Sequence, residues 1–241
     1  MYSWRTIRTL CLVLLLMPVV HFAYLLSSDV LASLDPSPDA WQDEIEAYRR
    51  ADLANKLPAN PIVVVGGMRV KLWQGLEDIL APQPVLMRGI GDAIVEDIIH
   101  NHGQLIAYYR PQTVIFLPGN SEFHIRDGKS ATDLVFAIQR LLELEESLGA
   151  NYHFYVFVPI KTPLYTRDYP KIEEVHEMLT AWAMQHPRVT ILDANRLLRN
   201  AEGDPDPSYF RADGVNLNEH GYLRLSTLVQ NHLEKATSAA N

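Results

Sequence analysis

The sequence predicts a three-layer α/β/α domain on a parallel five-stranded sheet, preceded by an N-terminal transmembrane helix. Three observations carry this reading. Five short apolar runs rich in β-branched and aromatic residues, at 62–65, 84–87, 113–117, 152–158 and 189–192, have the length and composition of buried strands. Longer segments with helical periodicity separate them, and strands alternating with helices assemble into a parallel sheet covered on both faces. A hydrophobic content of 48% with 21% charged residues over 241 positions suits a packed core rather than disorder.

The first 28 residues are read as the membrane segment. Between Thr9 and Leu26 there is no Asp, Glu, Lys or Arg, and about 18 apolar residues are enough to cross a bilayer as a helix. Arg5 and Arg8 precede this run and Asp29 follows it. The positive-inside rule then leaves the N-terminus in the cytoplasm and exports the rest, with the periplasmic side of a bacterial inner membrane as the expected location. A cleaved signal peptide is the alternative, with Val30-Leu31-Ala32 as its small-residue site and a secreted product. Cys11 is the only cysteine and lies inside the apolar run, so the exported part has no disulfide.

Residues 29–60 are read as a spacer and a helix, and 61–241 as the main domain. Asp35-Pro36-Ser37-Pro38-Asp39 is turn-rich, and Ser37 or Asp39 can cap a helix over 40–54 that carries Trp41, Ile45 and Tyr48 at helical spacing. Pro58 and Pro61 close it. Further helices are expected over 70–80, 93–106, 131–148, 169–185 and 219–233.

Charge narrows the partners. Two of the 21 basic residues and none of the 29 acidic ones precede position 29, leaving the rest near −10 (19 minus 29). Such a surface disfavours nucleic acid and anionic headgroups. The sequence shows no Cys/His zinc pattern, and neither metal nor cofactor is expected.

Ligands of parallel sheets bind beyond the carboxyl ends of the strands. Three segments fall there, 66–71, 88–92 and 119–124, and they carry Met68, Arg69, Asp92, Ser121 and Glu122. A fourth, Asp213-Gly214-Val215-Asn216-Leu217-Asn218-Glu219-His220-Gly221-Tyr222, resembles the closing motif of the SGNH (GDSL) hydrolases. The resemblance runs from about Trp41 to the C-terminus and brings Asp213 and Asn216 to the same cleft. It implies a flavodoxin-like SGNH fold and ligands such as acyl esters, acetylated glycans or lysolipids.

Position by position, the residues that give that family its name are replaced. Val63-Val64-Val65-Gly66-Gly67-Met68-Arg69-Val70-Lys71-Leu72-Trp73 resembles the opening block, with Met68 at the nucleophile position and Gly67-Met68-Arg69 in place of its serines. Arg88-Gly89-Ile90-Gly91-Asp92 resembles the second block, with Asp92 where a Gly lends its N–H to the oxyanion. Gly119-Asn120-Ser121-Glu122 resembles the third, with Ser121 for the oxyanion-hole Asn. In the closing block Asp213 is kept and Asn216 stands for the His. A thioether cannot attack an ester as an activated hydroxyl does, and an amide is no general base near neutral pH.

The expectation is therefore a protein without ordinary serine-esterase activity, a membrane-anchored binding or scaffold protein with Arg69, Asp92, Ser121, Glu122, Asp213 and Asn216 as ligand-binding candidates. Its rival is an active ester hydrolase that uses Ser121, with His124 three residues on, or a metal held by Asp92, Glu122 and Asp213. The competing account of Ser121 is a local turn cap, and that of the carboxylates is ion pairing with Arg69 and Lys71. Met68 fills a gap or floors an apolar site. Trp73 is expected to pack between helix and sheet, Tyr209 and Phe210 under the last loop, and His220 to face solvent.

Overall fold

The computed structural model describes residues 4–34, 37–124, 128–147, 149 and 152–240. Helix α1 (Trp4–Leu34) comes first, then a short 3-10 turn (Pro38–Trp41) and α2 (Gln42–Ala54). Ser37 caps the turn, its hydroxyl accepting from the Asp39 N–H at 3.2 Å. Next come β1 (Ile62–Gly66), α3 (Met68–Lys71), α4 (Leu76–Ile79), β2 (Val85–Gly89), α5 (Val95–His100), α6 (His102–Leu105) and β3 (Thr113–Leu117). The chain continues through α7 (Ala131–Ser147), β4 (His153–Phe157), α8 (Tyr169–Ala183), β5 (Val189–Leu192) and α9 (Glu219–Ala240).

All five strands are parallel, in the order β2-β1-β3-β4-β5. Alternation along each strand divides the core. Val63, Val65, Val114, Phe116, Phe154 and Val156 face one layer, made by α2, α5, α6, α7 and α8. Ile62, Val64, Ile115, Leu117, Tyr155 and Phe157 face the other, made by α3, α4 and α9. Both faces are apolar, so the strands read as unbroken hydrophobic runs rather than as alternating ones.

Two expected helices are divided. The segment 70–80 breaks at Gly75, which adopts φ +82°, and 93–106 breaks at Asn101, which closes α5 and opens α6. Trp73 follows the first of these helices. It is 2% exposed, meets Phe157 edge-on at 5.9 Å, stacks on Tyr222 at 6.0 Å and donates to Ser226 Oγ at 3.0 Å. The indole therefore pins α9 to the sheet and satisfies its own polar edge.

On the other face, α2 is locked to β2 by Arg88. Its Nη2 donates to Asp52 Oδ1 at 2.7 Å and its Nε to the Tyr109 hydroxyl at 2.8 Å. The guanidinium also lies 4.9 Å from the Tyr48 ring centroid and 4.6 Å from that of Tyr109. Burial and the Asp52 carboxylate push the Tyr109 hydroxyl up to about 12.

Trp41 presses on Gly91. That glycine has φ +31°, and a Cβ built there would stand 1.8 Å from the indole. Gly91→Ala is expected to cost about 1–3 kcal/mol by overpacking against a ring that cannot move aside, read as a lower urea midpoint.

The expected N-terminal transmembrane helix finds no support in the structure. Among the described residues no helix is long and apolar enough to cross a membrane. Helix α1 is continuous and carries an exposed apolar stretch from Cys11 to Tyr24, with Pro18 inside it. Several side chains on which the expectation rests, those of Thr9, Leu10, Leu25 and Leu26 among them, lie outside the described residues, as do those of 30–32 and the spacer residues Asp35 and Pro36.

Candidate functional site

The sheet order places a switch point between β1 and β3, because the chain leaves β1 toward β2 on one side and returns to β3 on the other. Loops at such a point diverge and leave a crevice between them. The crevice here is a cleft of about 360 Å³. Met68 and Arg69 enter it from the start of α3, Asp92 from the loop after β2, and Asn120 and Ser121 from the loop after β3. Asp213, Val215 and Asn216 close it ahead of α9.

Glu122 is not on the cleft wall. Its carboxylate is buried beneath α5, where Oε1 accepts from the Val95 N–H at 2.9 Å and Oε2 from Lys129 Nζ at 2.6 Å. Burial raises its pKa to about 7, against the pull of Lys129. The acidic trio is thus divided, and Lys71 pairs with Glu44 at 3.0 Å rather than with any of its members. Among the described residues no group of three or more His, Cys, Asp or Glu side chains is arranged to hold a metal ion.

Asp213 organises its own loop. Oδ1 accepts from the Val215 and Asn216 N–H groups at 2.8 and 2.9 Å, and Oδ2 accepts from Asn216 Nδ2 at 2.8 Å. Partial burial works against ionisation, but these donors outweigh it and hold the carboxyl below its ordinary range. Asn216 is the side chain that Asp213 orients, and it has no basic nitrogen.

Arg69 is the unusual member. It is 2% exposed, although it lines the cleft. Nη2 donates to Asn120 Oδ1 at 2.8 Å and to the Val215 carbonyl at 3.4 Å, while the Arg69 carbonyl accepts from the Tyr222 hydroxyl at 2.9 Å. One residue so ties the loops after β1 and β3 to the segment before α9. Its Nε and Nη1, together with Asn120 Nδ2, are buried with no partner among the described residues. Burial lowers the guanidinium to about 10, opposed by Tyr222 and Asp213, and it stays charged near neutral pH.

His124 reaches the cleft but pairs with Asp168, not with Ser121. Its Nε2 is hydrogen-bonded to Asp168 Oδ2, and its ring stacks on Tyr165 with centroids 4.0 Å apart. Asp168 and Tyr165 escape sequence reasoning because they precede α8, more than 40 positions from His124, in a stretch with no motif. The only local signal is an acidic residue two positions before Pro170 at a helix start. His220 is exposed on the first turn of α9, and Phe210 is buried, bridging to Leu217.

No family model matches the sequence, and no curated relative does. Solved structures do. A provisionally described platelet activating factor from Streptococcus pneumonia superposes with a TM-score of 0.71 at 15% identity, covering 89% of this chain and 99% of that one. The chain has the SGNH/GDSL hydrolase fold. A GDSL-like lipase from Bacteroides thetaiotaomicron follows the same path, with a TM-score of 0.68 at 16% identity over 80% of this chain and 98% of that one. So does a provisionally described acylhydrolase from Bacteroides fragilis, with a TM-score of 0.67 at 17% identity over 80% and 97%. In this chain the cleft at the β1/β3 switch point is lined by Met68, Arg69 and Asn216.

Proposed function

We propose that this SGNH-fold protein has no ordinary serine-esterase activity and binds acyl-ester or acetylated-glycan ligands in the β1/β3 cleft. One observation carries the reading: Met68 and Asn216 line the cleft at the positions where the resemblance calls for a nucleophile and a base. Neither side chain can fill that role. Asp213, which would orient a base, is instead satisfied by Asn216 and two backbone N–H groups.

The same reading makes it a membrane-associated binding or scaffold protein with its domain on the exported side. The apolar residues exposed from Cys11 to Tyr24, and Arg5 and Arg8 ahead of them, support that location. Recovery of the full chain in the carbonate-washed membrane pellet is expected; recovery in the supernatant would remove the membrane from the proposal.

A displaced catalytic centre is the second reading, and the His124–Asp168 pair is what favours it. A carboxylate-oriented imidazole beside Ser121 has the parts of a nucleophile and its base. Hydrolysis of p-nitrophenyl acetate and butyrate by the full chain, beside Ser121→Ala and His124→Ala, separates the two readings. No turnover above background is expected from any of the three. Turnover abolished by either substitution would establish the second reading in place of the first.

A further inference from the structure

The cleft wall has hydrogen-bond donors with no acceptor among the described residues. Arg69 offers five N–H donors, and among the described residues only Nη2 meets acceptors, at Asn120 Oδ1 and the Val215 carbonyl. Oδ1 of Asn120 accepts from the guanidinium, while its Nδ2 is buried and has no partner among the described residues, as is the case for Arg69 Nε and Nη1. Buried donors without acceptors are costly, and a cluster of three with a fixed positive charge calls for a group with acceptors only. Ionised carboxylates and phosphates are such groups.

Charge and shape choose between them. Asp213 lines the same cleft with its carboxyl held in the ionised form, and it would repel the second negative charge that a phosphate monoester carries near neutral pH. Met68, Leu72 and Val215 give the rest of the wall an apolar character suited to a short hydrocarbon body. We propose that the cleft is a monocarboxylate site, in which Arg69 and Asn120 donate to the carboxylate while its hydrocarbon part rests on Met68, Leu72 and Val215. This inference depends on the cleft being a binding site, and it names the ligand's chemistry. His124, paired with Asp168 and stacked on Tyr165, adds a polar edge to the same cleft.

The test is a titration of full-length protein, labelled at its methionine methyl groups, with butyrate, with the neutral isostere butanamide, and with inorganic phosphate. The Met68 methyl resonance reports occupancy of the cleft. Saturable shifts with butyrate are expected, with butanamide and phosphate each at least tenfold weaker. Because Arg69 ties three segments together, Arg69→Met can fail to fold, and Asn120→Asp is the decisive variant. It sets a carboxylate against the guanidinium in place, so butyrate should weaken at least tenfold while butanamide is unaffected.

Butyrate binding no tighter than butanamide, or unchanged in Asn120→Asp, would overturn the inference and leave the cleft as a site for neutral ligands. Phosphate binding more tightly than butyrate would also overturn it. Hydrolysis of methyl butyrate would instead overturn the proposed lack of turnover, and a butyrate preference would then persist as binding of the acid product.

Discussion

Lys129→Met is expected to lower stability by about 3–5 kcal/mol, the usual cost of stranding one partner of a buried ion pair. Lys129 is 4% exposed and Glu122 fully buried, with Nζ 2.6 Å from Oε2, and Lys129 also reaches Glu96. Chemical denaturation of the two proteins at neutral pH measures the difference. Replacing both partners, as Lys129→Met with Glu122→Leu, should recover most of it, because no uncompensated charge stays inside.

The pair also sets a pH response. Burial raises Glu122 from its ordinary 4.5 to about 7, so the folded state holds its proton over a range where the unfolded chain has released it. The stabilisation from this group is complete below about pH 4.5 and is lost as pH rises through about 7. Glu122→Gln should flatten that part of the stability profile. Lys129→Met should carry the decline to higher pH, since the lysine is what pulls the carboxyl down.

The second large effect is a gain. Met68→Ser combined with Asn216→His is expected to raise kcat/KM on p-nitrophenyl acetate at least about 100-fold above the unmodified protein, the lower range for a positioned general base. One contact it needs is already made. Asn216 Nδ2 already donates to Asp213 Oδ2 at 2.8 Å, and a His ring nitrogen at the same position can make that bond and turn its other nitrogen into the cleft. Each single substitution should give almost nothing, because a nucleophile and its base act as a unit. A double variant as inert as the parent would place the block at Arg69 or Asp92 rather than at the missing serine and histidine.

Most of the sheet was legible because buried parallel strands advertise themselves. Thr113–Leu117 and Val189–Leu192 coincide with their apolar runs, and the other three strands shift by one or two residues at their ends. The helix breaks were not, since Gly75 and Asn101 sit inside patterns whose apolar spacing continues across them. In the cleft, Met68, Arg69, Asp92, Ser121, Asp213 and Asn216 could be gathered from strand ends and the motif resemblance. Glu122 could not be placed, because its neighbour Ser121 lines the cleft while the next side chain turns under α5 to Lys129. Arg69 was foreseen as a partner for acids, yet its bonds go to an amide and a carbonyl. That outcome depends on three segments meeting in space, which no local pattern records.

Gly91 carries a consequence for where the chain can be cut. Its N–H donates to Glu44 Oε2 at 3.1 Å while Trp41 covers its α-carbon, and Asp92 on the cleft wall is the next residue. Nicking just after α1 would leave this brace intact, whereas trimming past Glu44 would uncover the loop that shapes one side of the cleft. A cut that spares the cleft therefore has to fall ahead of Trp41, about twenty residues before the first strand.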